Sequence, residues 1–142
     1  MKYLKISLVA AIFVALAFVT PRLSGQTMAV IANKSVAAGS IDAATLANIV
    51  MLDQKQFGGS TVVLFDLGED GAAKSKFYSF VGKSFADCKK VWLKAKLTGN
   101  GNPPATIATE DEMIKKVAST PGAIGYVSVG KVTGDVKVLA KH

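Results

Sequence analysis

Residues 66–75 read Asp-Leu-Gly-Glu-Asp-Gly-Ala-Ala-Lys-Ser. Asp70-Gly71 before two alanines is a helix start near Ala72, and a helix start carries main-chain N–H groups that have no partner within the helix. The amides of Gly71, Ala72 and Ala73, with the Lys74 ammonium one position on and Ser75 after it, are candidate ligands for an anion, because both the amides and the helix dipole favour negative charge there. The other reading is that the Asp70 carboxylate caps the helix. A second candidate pair, Asn33 and Ser35, follows the apolar run Met28 to Ala32. In open α/β sheets ligands gather beyond the C-terminal ends of strands; a plain strand-to-loop exit is the alternative.

Catalysis has little to work with. The one histidine, His142, is the last residue and is expected to fray. The one cysteine, Cys88, cannot form an internal disulfide. It shares a helical stripe with Phe85, Trp92 and Ala95, which reads as a buried apolar position; an intermolecular disulfide or a reactive thiol is the alternative. No His, Cys or carboxylate group has metal-ligand spacing, and no Ser-His or Cys-His pair offers a nucleophile with its base. A non-enzymatic chain without metal or cofactor is expected.

The N-terminus indicates the compartment. Lys2 and Lys5 precede Ile6 to Val19, which is apolar apart from Ser7. An apolar stretch of about 14 residues fits a secretory leader better than a spanning helix, which needs about 20. Residues 1–25 are read as a signal peptide, an uncleaved tether being the alternative. Residues 26–142 are read as one domain, periplasmic or otherwise outside the cytoplasm of a bacterium. The formal charge of +7 includes Lys2, Lys5 and Arg22. The rest is basic with lysines and acids alternating, which favours anionic partners such as small anions, lipid headgroups or surface polymers. Nucleic acid is not expected, for want of interleaved aromatics. Membrane contact is expected only of the leader.

The elements that must position these residues alternate in type. After the strand Met28 to Ala32, Ser40 or Asp42 caps a helix over about Ala43 to Leu52. Phe57-Gly58-Gly59 is a turn. Thr61 to Asp66 is a strand buried on both faces. A helix over Ala72 to Val81 buries Phe77, Phe80 and Val81, and Gly82 breaks it. Ser84 starts another helix that runs to about Leu97. Thr98 to Pro104 cannot be regular. Thr109 and Glu112 form a capping box for a helix over Glu110 to Ser119. Pro121-Gly122 turns the chain into a strand, Ala123 to Val129, with Val136 to Ala140 as its expected hairpin partner. This order indicates an α/β sandwich.

Several of these strings, in this order, resemble the phosphate-type substrate-binding proteins of bacterial ABC importers. They are IANKS at Ile31 to Ser35, DLGEDGAAKSKFYSFVGKS at Asp66 to Ser84, Trp92 on the next helix, LTGNGNPP at Leu97 to Pro104, and PGAIGYV at Pro121 to Val127. The resemblance implies the periplasmic-binding-protein (type 2) fold, here one lobe with a central mixed sheet flanked by helices, the second along such a chain. It implies an exported solute-binding-protein-like domain that takes phosphate or another small anion, with a homodimer or a partner protein completing the second lobe. The family supplies an arginine, then Ser-Gly-Thr at the helix start, to hold its anion. Leu67 to Ser75 has neither, and Glu69 and Asp70 stand where donors are needed. The alternative function is a non-catalytic interaction or structural module outside the cytoplasm that has lost the anion site.

Overall fold

The computed structural model describes residues 27–142; the leader read at 1–25 lies outside them. Five apolar residues without polar alternation suit a strand covered on both faces. Strand β1, Met28–Ala32, is accordingly buried at every position. Helix α1, Ala43–Val50, is capped by Asp42, whose carboxylate accepts from the Thr45 amide at 2.7 Å; hydrogen bonding with the Thr45 side chain first, and with its amide second, holds the Asp42 carboxyl below its usual range. Short strands β2, Gln56–Phe57, and β3, Ser60–Thr61, pair as a hairpin with Gly58 and Gly59 at its tip, both at positive φ, as a two-residue hairpin turn requires.

Strand β4, Val63–Leu67, leads to helix α2, Ala72–Val81. Gly82 ends α2 in the left-handed conformation at φ 73°. Helix α3, Phe85–Thr98, is capped by Ser84. Strand β5, Ala105–Ile107, and helix α4, Glu110–Ser119, follow; Thr109 caps α4 by accepting from the Glu112 amide. Strand β6, Ala123–Ser128, is followed by one 3-10 turn and by strand β7, Lys137–Lys141.

The main sheet has the order β5-β4-β6-β1-β7. Strands β5, β4 and β6 are parallel, and β1 runs antiparallel to both β6 and β7. The fold is thus α/β with a central mixed sheet flanked by helices, as expected. Successive residues of β6 show which helix covers which face. Gly125 lies against Met113 and Val117 of α4, whereas the Tyr126 ring stacks on Phe77 of α2 at 4.0 Å. Helix α3 lies on the α1 and α2 side, where the Trp92 indole donates to the Val50 carbonyl at 2.7 Å.

Several expectations need correction. Strand β7 pairs with β1 and not with β6, because β4 and β1 already flank β6 and the chain crosses β1 to reach its free edge. The strand expected over Thr61 to Asp66 divides at Val62, and Val63 is exposed. It lies near the sheet's edge, where β5 covers only the later part of β4. Helix α1 stops at Val50, with Leu52 at positive φ beyond it. In α2, Tyr78 is buried and Phe80 only half-buried. His142 is not frayed: its amide donates to the Met28 carbonyl, and its carbonyl accepts from Thr27 and Met28. Strand β5 was not foreseen; three residues are too short for a periodic signal.

All seven strands and the core come from residues 28–141, and no buried side-chain nitrogen or oxygen among the described residues lacks a partner. Residues 27–142 thus supply one five-stranded sheet and one core cluster between them. Two glycines set how closely the fold closes. Gly122 has φ 77°, and a Cβ there would run into the Thr61 carbonyl. A Cβ on Gly125 would lie 2.5 Å from the Met113 sulfur. Gly122→Ala should cost about 2 kcal/mol or more, and Gly125→Val about 1–3 kcal/mol from overpacking against α4. Urea unfolding of each variant checks this, and an unchanged midpoint would refute the close approach at that glycine.

Candidate functional site

The loop after β4 brings the first candidate group to the C-terminal ends of the parallel strands. Gly71 is the residue that starts α2, and no side chain caps it, unlike α1, α3 and α4. Asp70 therefore does not cap the helix. The first main-chain bond within α2 runs from Ser75 to the Gly71 carbonyl, so the amides of Gly71, Ala72 and Ala73 lie ahead of the helical ladder. The space in front of Gly71 is open, since a Cβ there would meet nothing within 4 Å. Ala72 and Ser75 are exposed, and so are Glu69 and Asp70.

Lys74 departs from the expected role. Its ammonium turns inward, donates to the Leu67 carbonyl at 2.8 Å, and lies 3.7 Å from an Asp66 oxygen and 4.0 Å from the centre of the Phe85 ring. The other Asp66 oxygen accepts from Tyr126 at 2.6 Å and from Tyr78 at 2.8 Å. The Tyr126 hydroxyl also accepts from the Leu67 amide at 3.2 Å. Burial first, and the Asp66 carboxylate second, push both phenols well above their usual range, so they remain protonated donors. Lys74 is therefore the counterion of a buried carboxylate and is not free to meet an anion at the helix start.

Asn33 and Ser35 lie elsewhere. Strand β1 is antiparallel to the three parallel strands, so its C-terminal end falls at their N-terminal end. The Asn33 amide pairs with the Ala123 carbonyl at the start of β6. Ala123 and Val127 are separated by four residues of strand, roughly 13 Å at about 3.3 Å each, and the α2 start lies at the far end. The ligand rule for strand ends therefore does not apply to this pair. Asn33 is buried; its side-chain amide donates to the Val117 and Ala118 carbonyls, and its oxygen accepts from the Ser35 amide. The Ser35 hydroxyl accepts from the Gly122 amide at 2.9 Å. Both side chains hold the last turn of α4 and the turn into β6.

Neither of two clefts among the described residues is lined by residues 69–75. A hollow of about 470 Å³ runs between the end of α1, β4 and the Gly101–Ala105 segment, and one of about 370 Å³ lies between α3 and Pro103-Pro104, with Asp66 among its lining residues. Burial raises the Cys88 thiol above its usual range, which suits an inert core position. No group of three or more His, Cys, Asp or Glu among the described residues is placed to hold a metal. Sequence reasoning missed the Asp66 cluster, although an acid closing an apolar strand was a signal, because such a carboxylate must find partners.

By sequence, no family model and no curated protein matches the chain. Solved structures match by shape. A structure from Clostridium perfringens, described as a phosphate ABC transporter substrate-binding protein with bound phosphate, superposes with a TM-score of 0.62 at 18% identity, over 80% of this chain and 44% of that one. PstS from Borrelia burgdorferi gives 0.60 at 13%, over 81% and 47%. An ABC-type phosphate transport receptor from Vibrio cholerae gives 0.55 at 16%, over 80% and 45%. The chain thus spans less than half the length of these structures, and its fold is that of a single lobe of the phosphate-type binding proteins, as the sequence strings implied.

The Asp66 cluster yields a test. Lys74→Glu would set two carboxylates together in the core and should cost about 3–5 kcal/mol. Tyr126→Phe keeps the ring on Phe77, removes one donor to Asp66, and should cost about 2 kcal/mol. Denaturant unfolding reads both, and full stability in Lys74→Glu would show that the ammonium does not reside against Asp66.

Proposed function

We propose that this chain is a non-catalytic solute-binding-type module, exported from the cytoplasm, whose α2 start takes a small oxyanion such as phosphate through main-chain amides. The observation that carries this reading is the uncapped α2 N-terminus at the C-terminal ends of the parallel strands, in a lobe whose structural neighbours are phosphate-binding proteins. The amides of Gly71, Ala72 and Ala73 would donate to the anion, with the Ser75 hydroxyl one turn on. Lys74 acts from inside by neutralising Asp66, which would otherwise repel an anion beside that loop. One lobe encloses little of a small anion, so tight capture needs a second copy or a partner protein over the site. Among the described residues no helix is long and apolar enough to cross a membrane; export rests on the leader read at residues 1–25.

A second reading is favoured by Glu69 and Asp70, both exposed beside the same amides, and by the inward turn of Lys74. On that reading the lobe is an interaction or structural module without small-molecule affinity.

An amide NMR titration of residues 27–142 with phosphate and then sulfate at low salt separates the two. The first reading expects saturable shifts at Gly71, Ala72 and Ala73. Ala72→Pro should weaken them about tenfold by removing one charge-assisted bond. Proline is tolerated at the first helical position, and Gly71 before it is extended, so the variant should keep its fold. Absence of shifts at millimolar anion would eliminate the anion reading and leave the interaction module.

A further inference from the structure

The charge of the domain is not spread as its alternation along the chain suggests. Residues 27–142 contain fourteen lysines, no arginine and ten acids, a net +4. Within 83–98 stand five lysines (83, 89, 90, 94 and 96) and one acid, Asp87, again a net +4. The remainder, nine lysines and nine acids, is neutral. All five lysines of this segment are exposed.

The same helix exposes apolar surface. The exposed large hydrophobic residues among the described ones are Val63, Leu93 and Leu97, and Leu93 and Leu97 are 58% and 77% exposed, one turn apart on α3. Cys88 and Trp92 are buried and fix which side of α3 faces inward. At about 100° per residue, Leu97 and Leu93 fall on the outward line, with Lys90 and Lys94 along one flank and Lys89 and Lys96 along the other. An outward leucine pair between two rows of lysines is the pattern of a helix lying in a charged interface, where leucines enter the acyl boundary and lysine stems extend to the headgroups.

We propose that the outer face of α3 docks the domain onto an anionic lipid surface. This goes beyond the contact expected of the leader alone, and it is independent of whether α2 takes an anion. The cleft at its Lys89–Lys96 flank is lined by Leu93, Pro103 and Pro104 as well, which sets more apolar surface beside the headgroups. Nucleic acid fits poorly, because the outward residues are leucines and offer no stacking surface for bases.

The test is co-sedimentation of residues 27–142 with phosphatidylglycerol–phosphatidylcholine vesicles and with phosphatidylcholine vesicles alone, at low and high salt. The domain should bind only the anionic vesicles, and salt should release it. K90E/K94E should weaken binding by about 30-fold, since each lysine at an anionic surface contributes roughly fivefold. K115E/K116E, exposed on α4 across the sheet, makes the same change in net charge and should stay within about fivefold of wild type. L93S/L97S should weaken binding while keeping its salt dependence. All four sites in the α3 variants are exposed, and their melting curves verify the fold. The proposal is overturned if the two vesicle types bind alike, if neither binds, or if the α4 variant loses as much as the α3 variant. Retention of poly-glutamate through Lys90 and Lys94 without vesicle binding would also overturn it, and would assign the face to an acidic protein.

Discussion

A carboxylate taken out of water must be met by donors or by a cation, and Asp66 is met by both. It sits at the point where β4 ends, α2 begins and β6 passes alongside. Tyr126 brings β6 to it, Tyr78 and Lys74 bring α2, and the Leu67 backbone joins through the Tyr126 hydroxyl and the Lys74 ammonium. Each group has one geometry in which it is satisfied, so the cluster fixes the helix against the sheet more tightly than apolar packing alone. The Phe77–Tyr126 stack and the Phe85 ring over Lys74 close the apolar surroundings. A buried pair of this kind is weak as a source of stability, but breaking one side of it is costly.

The same arrangement shapes the chemistry at the surface. The α2 start is left without a capping side chain, yet its nearest cation is committed to the interior and its nearest exposed side chains are acids. A donor set made only of main-chain amides is selective for geometry and weak in attraction, because amides carry partial charges that are fixed in direction. In a two-lobed protein a second surface can exclude water and strengthen such bonds. A single lobe leaves them wet, so any tight binding at this place must borrow a wall from elsewhere.

Much of the fold was legible because local signals agreed with one another. MAVIA had no polar residue to turn outward, Thr109 and Asp42 stood where helices needed caps, and Gly82 and Pro121-Gly122 marked the breaks. Strand partners were less legible. Residues 136–140 follow β6 after a turn, and only the competition for a place beside β1 decides that they pair there. The polarity of β1 was invisible for the same reason, and it removed Asn33 and Ser35 from the edge where a ligand was expected. Their real task, holding the α4 end and the Gly122 turn, depends on partners 84 to 87 residues away, which no spacing rule reaches. Lys74 read as an anion ligand because a lysine beside a helix start is usually exposed; the strand-end acid Asp66, eight residues earlier, overrides that preference.

Charge along a sequence and charge over a surface are different quantities, and α3 shows how far they diverge. Lysines and acids alternate along much of the chain, yet among residues 27–142 they cancel outside 83–98, and the net charge of those residues stands on α3 and the Lys83 just before it. The burial of Cys88 and Trp92 fixes the rotation of that helix, and this rotation alone turns Leu93 and Leu97 outward between the lysine rows. Anchored one residue later, the helix would have put Lys89 and Leu93 in the places of Cys88 and Trp92, burying a charge without a partner. The inward stripe therefore determines the outward one. The two residues that look dullest in the sequence, a lone cysteine and a core tryptophan, set the orientation of the lysine-rich face of α3.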